Sequence, residues 1–469
     1  MKKIIALSLV AFLSTALSAE ATDDTQAQID KLTKEVEKLK KDQKRTKKTL
    51  NKVKAHDAYD NIKFGVDFRN AVDVLKYKDN KTGKTASNDS LFTSRLFLTM
   101  KSAPMDGLMF MGKLAIYSTW GAHIYDHSTG LKDWSASSKA NDTVMRIKEA
   151  YFAYSNEIGS QPWSVSIGRR PSTNGFLANY RENEPKAGSP LAHITNMEVN
   201  AAMLKLGWDR FVEGSYSKFV YGRAHTGDTT GVYGYGDGEN DGNADMWGPY
   251  ATGDHNNGDD KDVDFFVFLG DGYNNGQYQV MYEWAHIFNT KGARANDITT
   301  KKAAAGTADL LSVGLKIDGI GEEISDFLDE TTLFISGAYT TYTAKDGYQI
   351  LGNAGGTESG SSIWAGVIIP DMITDAGKFG LEYNQGSQYW TPMTWAEDTA
   401  IGSKIAVRGS AYEAYWNFNL FGVKYLPSQI RYTYAQHDYT PNVKCAGWVK
   451  PVEVDITAQD LRFAVSYRY

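Results

Sequence analysis

The chain has 469 residues, a formal net charge of -6 and 13% aromatic residues, among them 28 Tyr and 11 Trp, yet its mean hydropathy is only -0.42. The modest negative charge argues against a dedicated nucleic-acid-binding protein. Beyond the N-terminal segment, no apolar run approaches the roughly 20 residues that a membrane-spanning helix needs. Any membrane span in the body of the chain must therefore be built from β-strands.

The N-terminal segment, residues 1–21, has the three-part layout of a secretory signal peptide. Lys2 and Lys3 precede an apolar stretch that begins at Ile4, and the small residues Ala19 and Ala21 provide a cleavage site. A membrane-anchoring helix is the alternative interpretation, but the apolar stretch is short for a span. We expect an exported chain in which Cys445, the single cysteine, forms no intramolecular disulfide.

Residues 22–57 carry the heptad spacing of a short periplasmic α-helical coiled coil. The seam positions alternate at steps of three and four and comprise Ile29, Leu32, Val36, Leu39, Gln43, Thr46, Leu50 and Val53. The pattern predicts self-association; a single amphipathic helix is the alternative. Eleven Lys and Arg residues between Lys31 and Lys54 would attract an anionic surface such as peptidoglycan, so a tether from the outer membrane to the cell wall is a second functional hypothesis.

From residue 58 onward the apolar period changes to two, as in Ile62, Phe64, Val66 and Phe68, which indicates half-buried strands. We predict about sixteen strands near 61–72, 91–101, 108–118, 143–155, 162–169, 196–207, 211–221, 262–270, 276–287, 308–317, 331–342, 361–369, 377–386, 408–419, 429–438 and 458–469.

The predicted links between strands alternate strictly between short and long. The long ones are 73–90, 119–142, 170–195, 222–261, 288–307, 343–360, 387–407 and 439–457. Outer-membrane barrels have short periplasmic turns and long external loops. We therefore expect both ends of the mature chain to lie in the periplasm.

The last residues, "LRFAVSYRY", alternate apolar and polar side chains up to the final aromatic residue. Because an open sheet edge is not tolerated in lipid, the last strand must pair with the first. We expect Tyr469 in the periplasmic aromatic girdle, Leu461, Phe463, Val465 and Tyr467 toward lipid, and Arg462, Ala464, Ser466 and Arg468 toward the lumen. The predicted fold is a closed antiparallel transmembrane β-barrel of about sixteen strands at residues 58–469, preceded by the short coiled coil.

This terminal strand resembles the carboxy-terminal recognition signal of bacterial outer-membrane proteins, general porins included. The order of leader, coiled coil and barrel, together with "SIGRRPSTNG" from Ser166 to Gly175, resembles a porin-like family known chiefly as an uncharacterised domain of unknown function. The resemblance implies an outer-membrane location among lipid and lipopolysaccharide and a passive channel for ions and small hydrophilic solutes. It brings no catalytic residue and no cofactor, and we expect neither.

The positions between the lipid-facing side chains should line the pore. Their basic members are Lys63, Arg69, Arg95, Lys101, Arg146, Lys148, Arg170, Arg431, Arg462 and Arg468, and their acidic members are Asp67, Glu283, Glu382 and Glu413. The excess of basic residues predicts a mild anion preference. The alternative is that these charges pair across the lumen or lie at its rims.

The third long link, from Arg169 to Pro190, is the candidate constriction loop. In general porins the third loop folds into the barrel, and by that resemblance the gate candidates are Arg169, Arg170, Arg181, Glu182, Glu184 and Lys186. Arginines opposite carboxylates would set a transverse field at the narrowest point. An ordinary surface loop is the alternative.

The remaining signals are weaker. Asp237 to Asp245 resembles the first half of a calcium loop, but Gly248 occupies the twelfth position, so we expect no metal site. No hydrolase motif is present, and an enzyme acting at the barrel rim is a minor alternative. The Ile, Val and Leu seam of the coiled coil favours a homodimer, whereas the resemblance to general porins implies a trimer.

Overall fold

The structure is a computed structural model, and it describes residues 62–120, 144–170, 173–184, 187–225, 261–296, 303–321, 324–374, 376–394, 397–441 and 449–469. The predicted signal peptide and coiled coil lie outside the described residues, as do Lys186, Cys445 and the calcium-like segment.

Nearly all of the regular structure is β. The strands are β1 (Lys63–Asp79), β2 (Thr85–Met105), β3 (Leu108–Thr119), β4 (Val144–Ile158), β5 (Gln161–Arg170), β6 (Gly175–Phe176), β7 (Gly188–Leu191), β8 (Val199–Gly207), β9 (Tyr216–His225), β10 (Val263–Asn274), β11 (Tyr278–Arg294), β12 (Ala303–Asp318), β13 (Thr332–Ala344), β14 (Tyr348–Ile350), β15 (Asn353–Ala354), β16 (Thr357–Pro370), β17 (Lys378–Gly386), β18 (Gly409–Asn419), β19 (Pro427–Tyr439) and β20 (Glu453–Arg468). One short helix, α1 (Asp326–Asp329), and two 3-10 turns, Lys404–Ala406 and Leu420–Gly422, accompany them. No helix among the described residues has the length and apolar character to cross a membrane.

Sixteen of the strands in the described part of the chain form one closed antiparallel sheet. Each long strand pairs with its successor, and β20 returns to pair with β1. The short strands β6 and β7 form a separate parallel pair, and the hairpin of β14 and β15 extends from β11. The predicted closed barrel of about sixteen strands is confirmed.

The closing strand β20 shows how the wall is organised. Tyr467 pairs with Phe68 of β1, and the Val66 amide donates to the Tyr469 carbonyl at 2.9 Å. Leu461 and Tyr467 are each 47% exposed, whereas Arg462 is 4% exposed. Alternate side chains therefore face opposite sides of the wall, with apolar residues outside and polar residues inside.

One β-bulge interrupts this alternation in β4. Lys113 of β3 pairs with Glu149, and Leu114 pairs with Ile147, so Lys148 is an extra residue in the ladder. The Lys148 and Glu149 side chains are therefore both turned inward, where Lys148 pairs with Glu198 and Glu149 with Lys113. Bulges redirect side chains in this way.

The predicted strict alternation of link lengths is wrong. The pairing of β1 with β2 continues to Lys78 and Thr85, so the predicted long link 73–90 is only the turn 80–84. The first residues of β2, Thr85 to Ser90, carry no large apolar side chain on either face and therefore lack the period-two signal. The predicted strand 211–221 begins instead at Tyr216, because the Trp208 amide donates to the Ser215 carbonyl at 2.8 Å and closes a turn.

The links 120–143, 171–198, 226–262 and 387–408 nevertheless all leave the same end of the barrel, which we call the long-link end. The opposite end, where β1 begins and β20 finishes, is the short-link end. Its links include the turns 106–107, 159–160 and 275–277, and also 319–331, which contains α1.

The alternation predicts a labelling pattern for single cysteines in β19, in a chain whose Cys445 is replaced by Ser. Cysteines at Ile430 and Tyr432, 40% and 41% exposed, should react with a lipid-phase maleimide, whereas those at Arg431 and Thr433, each 1% exposed, should not. Equal labelling at all four positions in reconstituted protein would contradict the assignment of the two faces.

Candidate functional site

The described residues of the link 171–198, which are 173–184 and 187–198 and which we call the first inner loop, lie inside the barrel. Its described residues include Phe176, Leu177 and Leu191, each no more than 1% exposed. On the far wall, Asn417 of β18 donates to the Tyr180 carbonyl at 3.0 Å. The first inner loop therefore reaches from β5 across the lumen to β18.

A buried carboxylate on the wall holds this loop. Glu283 of β11 is fully buried and accepts hydrogen bonds from the Leu191 amide at 2.6 Å and the Thr195 hydroxyl at 2.8 Å. The loop also folds tightly on itself at Gly175, where any Cβ would lie 1.9 Å from the Pro190 carbonyl oxygen. Glycine is therefore required at that position.

His193 fixes the middle of the first inner loop. Its Nδ1 lies 2.8 Å from the Ser336 hydroxyl and its Nε2 lies 3.0 Å from the Ser362 hydroxyl, on β13 and β16. The rings of Trp364 and Trp390 pack edgewise against it. Burial lowers the pKa of His193 to about 3, so the imidazole is neutral at ordinary pH and its role is to position the loop.

The link 387–408, the second inner loop, packs beside the first one. The Met393 amide donates to the Ile194 carbonyl at 2.9 Å, and the Asn196 amide donates to the Met393 carbonyl at 2.8 Å. The ammonium group of Lys404 pairs with Glu382 at 2.7 Å and also with Glu413. The two inner loops thus form one backbone-paired layer that is anchored to the wall.

An apolar cluster closes the centre of the lumen. Phe176 and Leu191 of the first inner loop pack with Met281, Phe334 and Trp364 of the wall. These close-packed side chains fill the space between the first inner loop and β11, β13 and β16.

Four buried arginines line one side of the wall, and we call them the arginine cluster. They come from β1, β2, β19 and β20 and are Arg69, Arg95, Arg431 and Arg462. The carboxylate of Asp398, in the second inner loop, pairs with Arg69 and lies 3.2 Å from both Arg95 and Arg462. One loop carboxylate therefore bridges three strands.

The backbone of Asp398 extends the same contact. Its carbonyl oxygen accepts hydrogen bonds from Arg431 at 2.7 Å and Arg462 at 3.0 Å, and from Arg181 of the first inner loop at 2.7 Å. Both inner loops and the arginine cluster meet at this residue.

Glu182 and Arg181 supply the charges of the first inner loop. Burial favours the neutral form of Glu182, but nearby guanidinium groups, that of Arg181 first, lower its pKa to about 2. Burial likewise opposes the charge of Arg181, yet Glu413 and Glu397 raise its pKa above the ordinary value. Both side chains are therefore ionised at neutral pH.

Two cavities meet at the arginine cluster. The one toward the long-link end has a volume of about 350 Å³ and reaches Ser118 and Thr399. The other, toward the short-link end, has about 40 Å³, close to the space of a single water. Arg69, Asp398 and Arg462 line both cavities. These three side chains form the partition between the two ends of the barrel on this side.

The predicted constriction residues are separated by the structure. Arg181 and Glu182 lie at the arginine cluster, whereas Arg169 and Arg170 belong to β5 and line a different cavity. Glu184 accepts a hydrogen bond from Asn174 at 3.2 Å and lines a cavity of about 690 Å³ at the short-link end.

The predicted pore-lining residues also divide into groups. Lys63, Lys101 and Arg146 are exposed near strand ends, and Arg468 pairs with Asp67 at 3.1 Å. Lys148 is paired with Glu198. Among the acidic positions, Glu382 and Glu413 hold Lys404, and Glu283 holds the first inner loop.

Sequence reasoning missed Asp398 and its neighbour Glu397, which pairs with Arg181. The available signal was the charge imbalance of the predicted lumen: buried arginines require carboxylate partners. The acidic pair Glu397 and Asp398 ends the segment "YWTPMTWAED" in a long link rich in aromatic residues. This pair could have been considered as the missing carboxylate partners.

Removing the carboxylate of Glu283 should release the first inner loop. Glu283→Leu loses two hydrogen bonds and leaves the Leu191 amide and the Thr195 hydroxyl without this acceptor, which should cost about 2 kcal/mol or more; Glu283→Gln should lose less. We expect a lower guanidinium chloride unfolding midpoint and faster proteolysis within 171–198. Glu213→Leu, at an exposed link position, is the control and should change little; equal midpoints for both Leu variants would contradict the anchoring role.

Solved structures similar to this chain are outer-membrane proteins with low identity. One is an anion-selective porin from Comamonas acidovorans, with 13% identity over 87% of this chain and 100% of that chain and a TM-score of 0.47. Another is the outer-membrane channel DcaP of Acinetobacter baumannii, with 13% identity over 87% of this chain and 97% of that chain and a TM-score of 0.45. OprB of Pseudomonas putida is also similar, with 11% identity over 87% of this chain and 94% of that chain and a TM-score of 0.46. No curated protein matches the chain. The resemblance to a porin-like family of unknown function is confirmed, because residues 85–466 match the family described as "Protein of unknown function (DUF3373)", and the chain belongs to that family.

Proposed function

We propose that the protein is an outer-membrane channel through which ions and small hydrophilic solutes diffuse passively, with a mild preference for anions. The observation that carries the proposal is a pair of cavities inside a closed barrel, which meet at the charged side chains of Arg69, Asp398 and Arg462. A route from one end of the barrel to the other would pass these side chains. An apolar outer face with a charged interior is the arrangement of lipid-embedded barrels.

The orientation follows from the two ends of the barrel. Outer-membrane barrels place their long loops outside the cell, so the long-link end is external in our proposal. The beginning of β1 and the end of β20 are then periplasmic.

The size and charge of the partition set the expected transport properties. Because the paired side chains of Arg69, Asp398 and Arg462 lie across the proposed route, each conducting channel should pass a small current. The lining of the cavity of about 40 Å³ contains four arginines, Arg69, Arg95, Arg462 and Arg468, and two carboxylates, Glu182 and Asp398. Excess positive charge at a narrow point favours anions.

Asp398→Asn tests this proposal in planar bilayers. The native protein should give small ohmic steps and an anion-to-cation permeability ratio above one. Removing the loop carboxylate should raise that ratio about twofold or more, because three guanidinium groups lose their shared counter-charge, and should raise conductance by loosening the second inner loop. The measurements are single-channel current and reversal potential in a salt gradient.

Asp209→Asn is the matched control, since Asp209 is exposed in a link at the short-link end. Inserted native protein that passes no current would remove the channel proposal. A permeability ratio that is the same in Asp398→Asn and in native protein would remove the arginine cluster as the selective element.

We also propose that the protein is a homo-oligomer that associates through residues 22–57. The heptad seam supports this proposal, and the basic side chains beside it would face the cell wall. The molecular mass of the solubilised protein, with and without residues 22–57, tests it: deletion should give monomers, and an unchanged mass would assign any association to the barrel.

A further inference from the structure

A separate cavity of about 540 Å³ lies inside the barrel toward the long-link end. It is lined by inward-facing residues from β5 and β8 to β12 and by parts of both inner loops. It shares no lining residue with the two cavities at the arginine cluster. A ligand bound in this cavity would therefore lie apart from the proposed route of ions.

Part of the wall of this cavity is a continuous apolar surface, which is unusual for the inner face of a membrane barrel. Water-filled barrels present polar residues to the lumen. Here successive inward positions of β10 are Phe265, Val267 and Leu269, each less than 10% exposed, and Ile287 of β11 and Leu310 of β12 continue the surface. The cavity suits an apolar body better than a hydrated ion.

Basic side chains border the apolar surface. Arg170 lies with its guanidinium carbon 5.0 Å from the centre of the Tyr151 ring. Its Nη1 atom is buried and has no hydrogen-bond partner among the described residues. Lys218 stands opposite Leu269 in the ladder and also lines the cavity. A buried donor without an acceptor, such as the Nη1 atom of Arg170, is costly, and a ligand with an anionic group would supply the acceptor.

The carboxylates that line the cavity are already engaged. Glu198 pairs with Lys148, and Glu283 accepts hydrogen bonds from the Leu191 amide and the Thr195 hydroxyl. The lining therefore offers the Nη1 atom of Arg170 to an anion, whereas a cation would find only carboxylates with existing partners.

We propose that this cavity binds an amphipathic organic anion, with its carboxylate at Arg170 and its apolar body against Phe265, Val267 and Leu269. The volume falls within the roughly 300–1,000 Å³ of small-molecule sites. Apolar contact supplies affinity, and the guanidinium group selects the charge.

The test uses the full chain in lipid nanodiscs with 4-phenylbutyrate as the probe, followed by saturation-transfer NMR and calorimetry. Uncharged 4-phenylbutanol and cationic 4-phenylbutylamine have the same apolar body, and empty nanodiscs correct for partition into lipid. We expect saturable binding of the anion at least tenfold tighter than that of the alcohol, and none of the amine.

Two variants locate the site. Arg170→Met should weaken binding of 4-phenylbutyrate about tenfold and leave that of the alcohol unchanged. Val267→Trp should fill the cavity and weaken both. Arg210→Met is the matched control, because Arg210 is exposed in the link 208–215 at the short-link end and does not line the cavity; its affinity should equal that of the native protein.

Heat-modifiable migration in gels confirms that each variant is a folded barrel. If Val267→Trp does not fold, the comparison of 4-phenylbutyrate with 4-phenylbutanol in Arg170→Met still tests the proposal. Binding no greater than in empty nanodiscs, or the same affinity in Arg170→Met, would overturn the proposal. Because binding is measured without current, either result leaves the proposed channel untouched, and a channel that fails in bilayers leaves this site untouched.

Discussion

Closure of the wall is the constraint on which the structure depends. The strand β20 pairs with β1 over thirteen residue pairs, from Asp67 with Arg468 to Asp79 with Ile456, so no unpaired backbone edge faces hydrocarbon. Pairing along the whole circumference also fixes which side chains face inward. With Leu461 outside, Arg462 must be inside. The positions of the buried charges follow from the hydrogen-bonded ladder.

Once the wall places Arg69, Arg95, Arg431 and Arg462 inside, electrostatics determine what the loops must do. Buried guanidinium groups need acceptors. The wall offers Asp73 to Arg462 at 2.5 Å, Asp67 to Arg95 at 3.5 Å and Glu413 to Arg431 at 3.8 Å. Among the described residues, Arg69 has no ion pair other than the one with Asp398. Asp398 supplies the missing charge from a loop. The apolar residues of the first inner loop then fill the centre, where packing with Trp364 and Phe334 replaces water.

The alternation of apolar and polar residues could be predicted from the sequence wherever a strand has lipid on one side, as in Ile430 to Tyr434 and the last strand. It could not be predicted at Thr85 to Ser90, where β2 carries no large apolar side chain on either face, nor at Lys148, where one extra residue reverses the alternation. The inward course of the third link could be expected by resemblance and from its charges. The contact of Asp398 with Arg69 could not, because it joins residues more than 300 positions apart and no local period marks it.

The two inner loops divide the lumen into unlike halves, and the contrast between two arginines shows why. Arg69 and Arg170 both face inward from the wall, but Asp398 reaches only the first. The cavity around Arg69 is therefore crossed by paired charges, which suits hydrated ions in transit. Around Arg170 the second inner loop contributes Met393 instead, and the nearby wall contributes Val267 and Leu269. In one half of the lumen an arginine is thus part of a charged partition. In the other half an arginine is a polar group beside an apolar surface, where it can hold an anion in place.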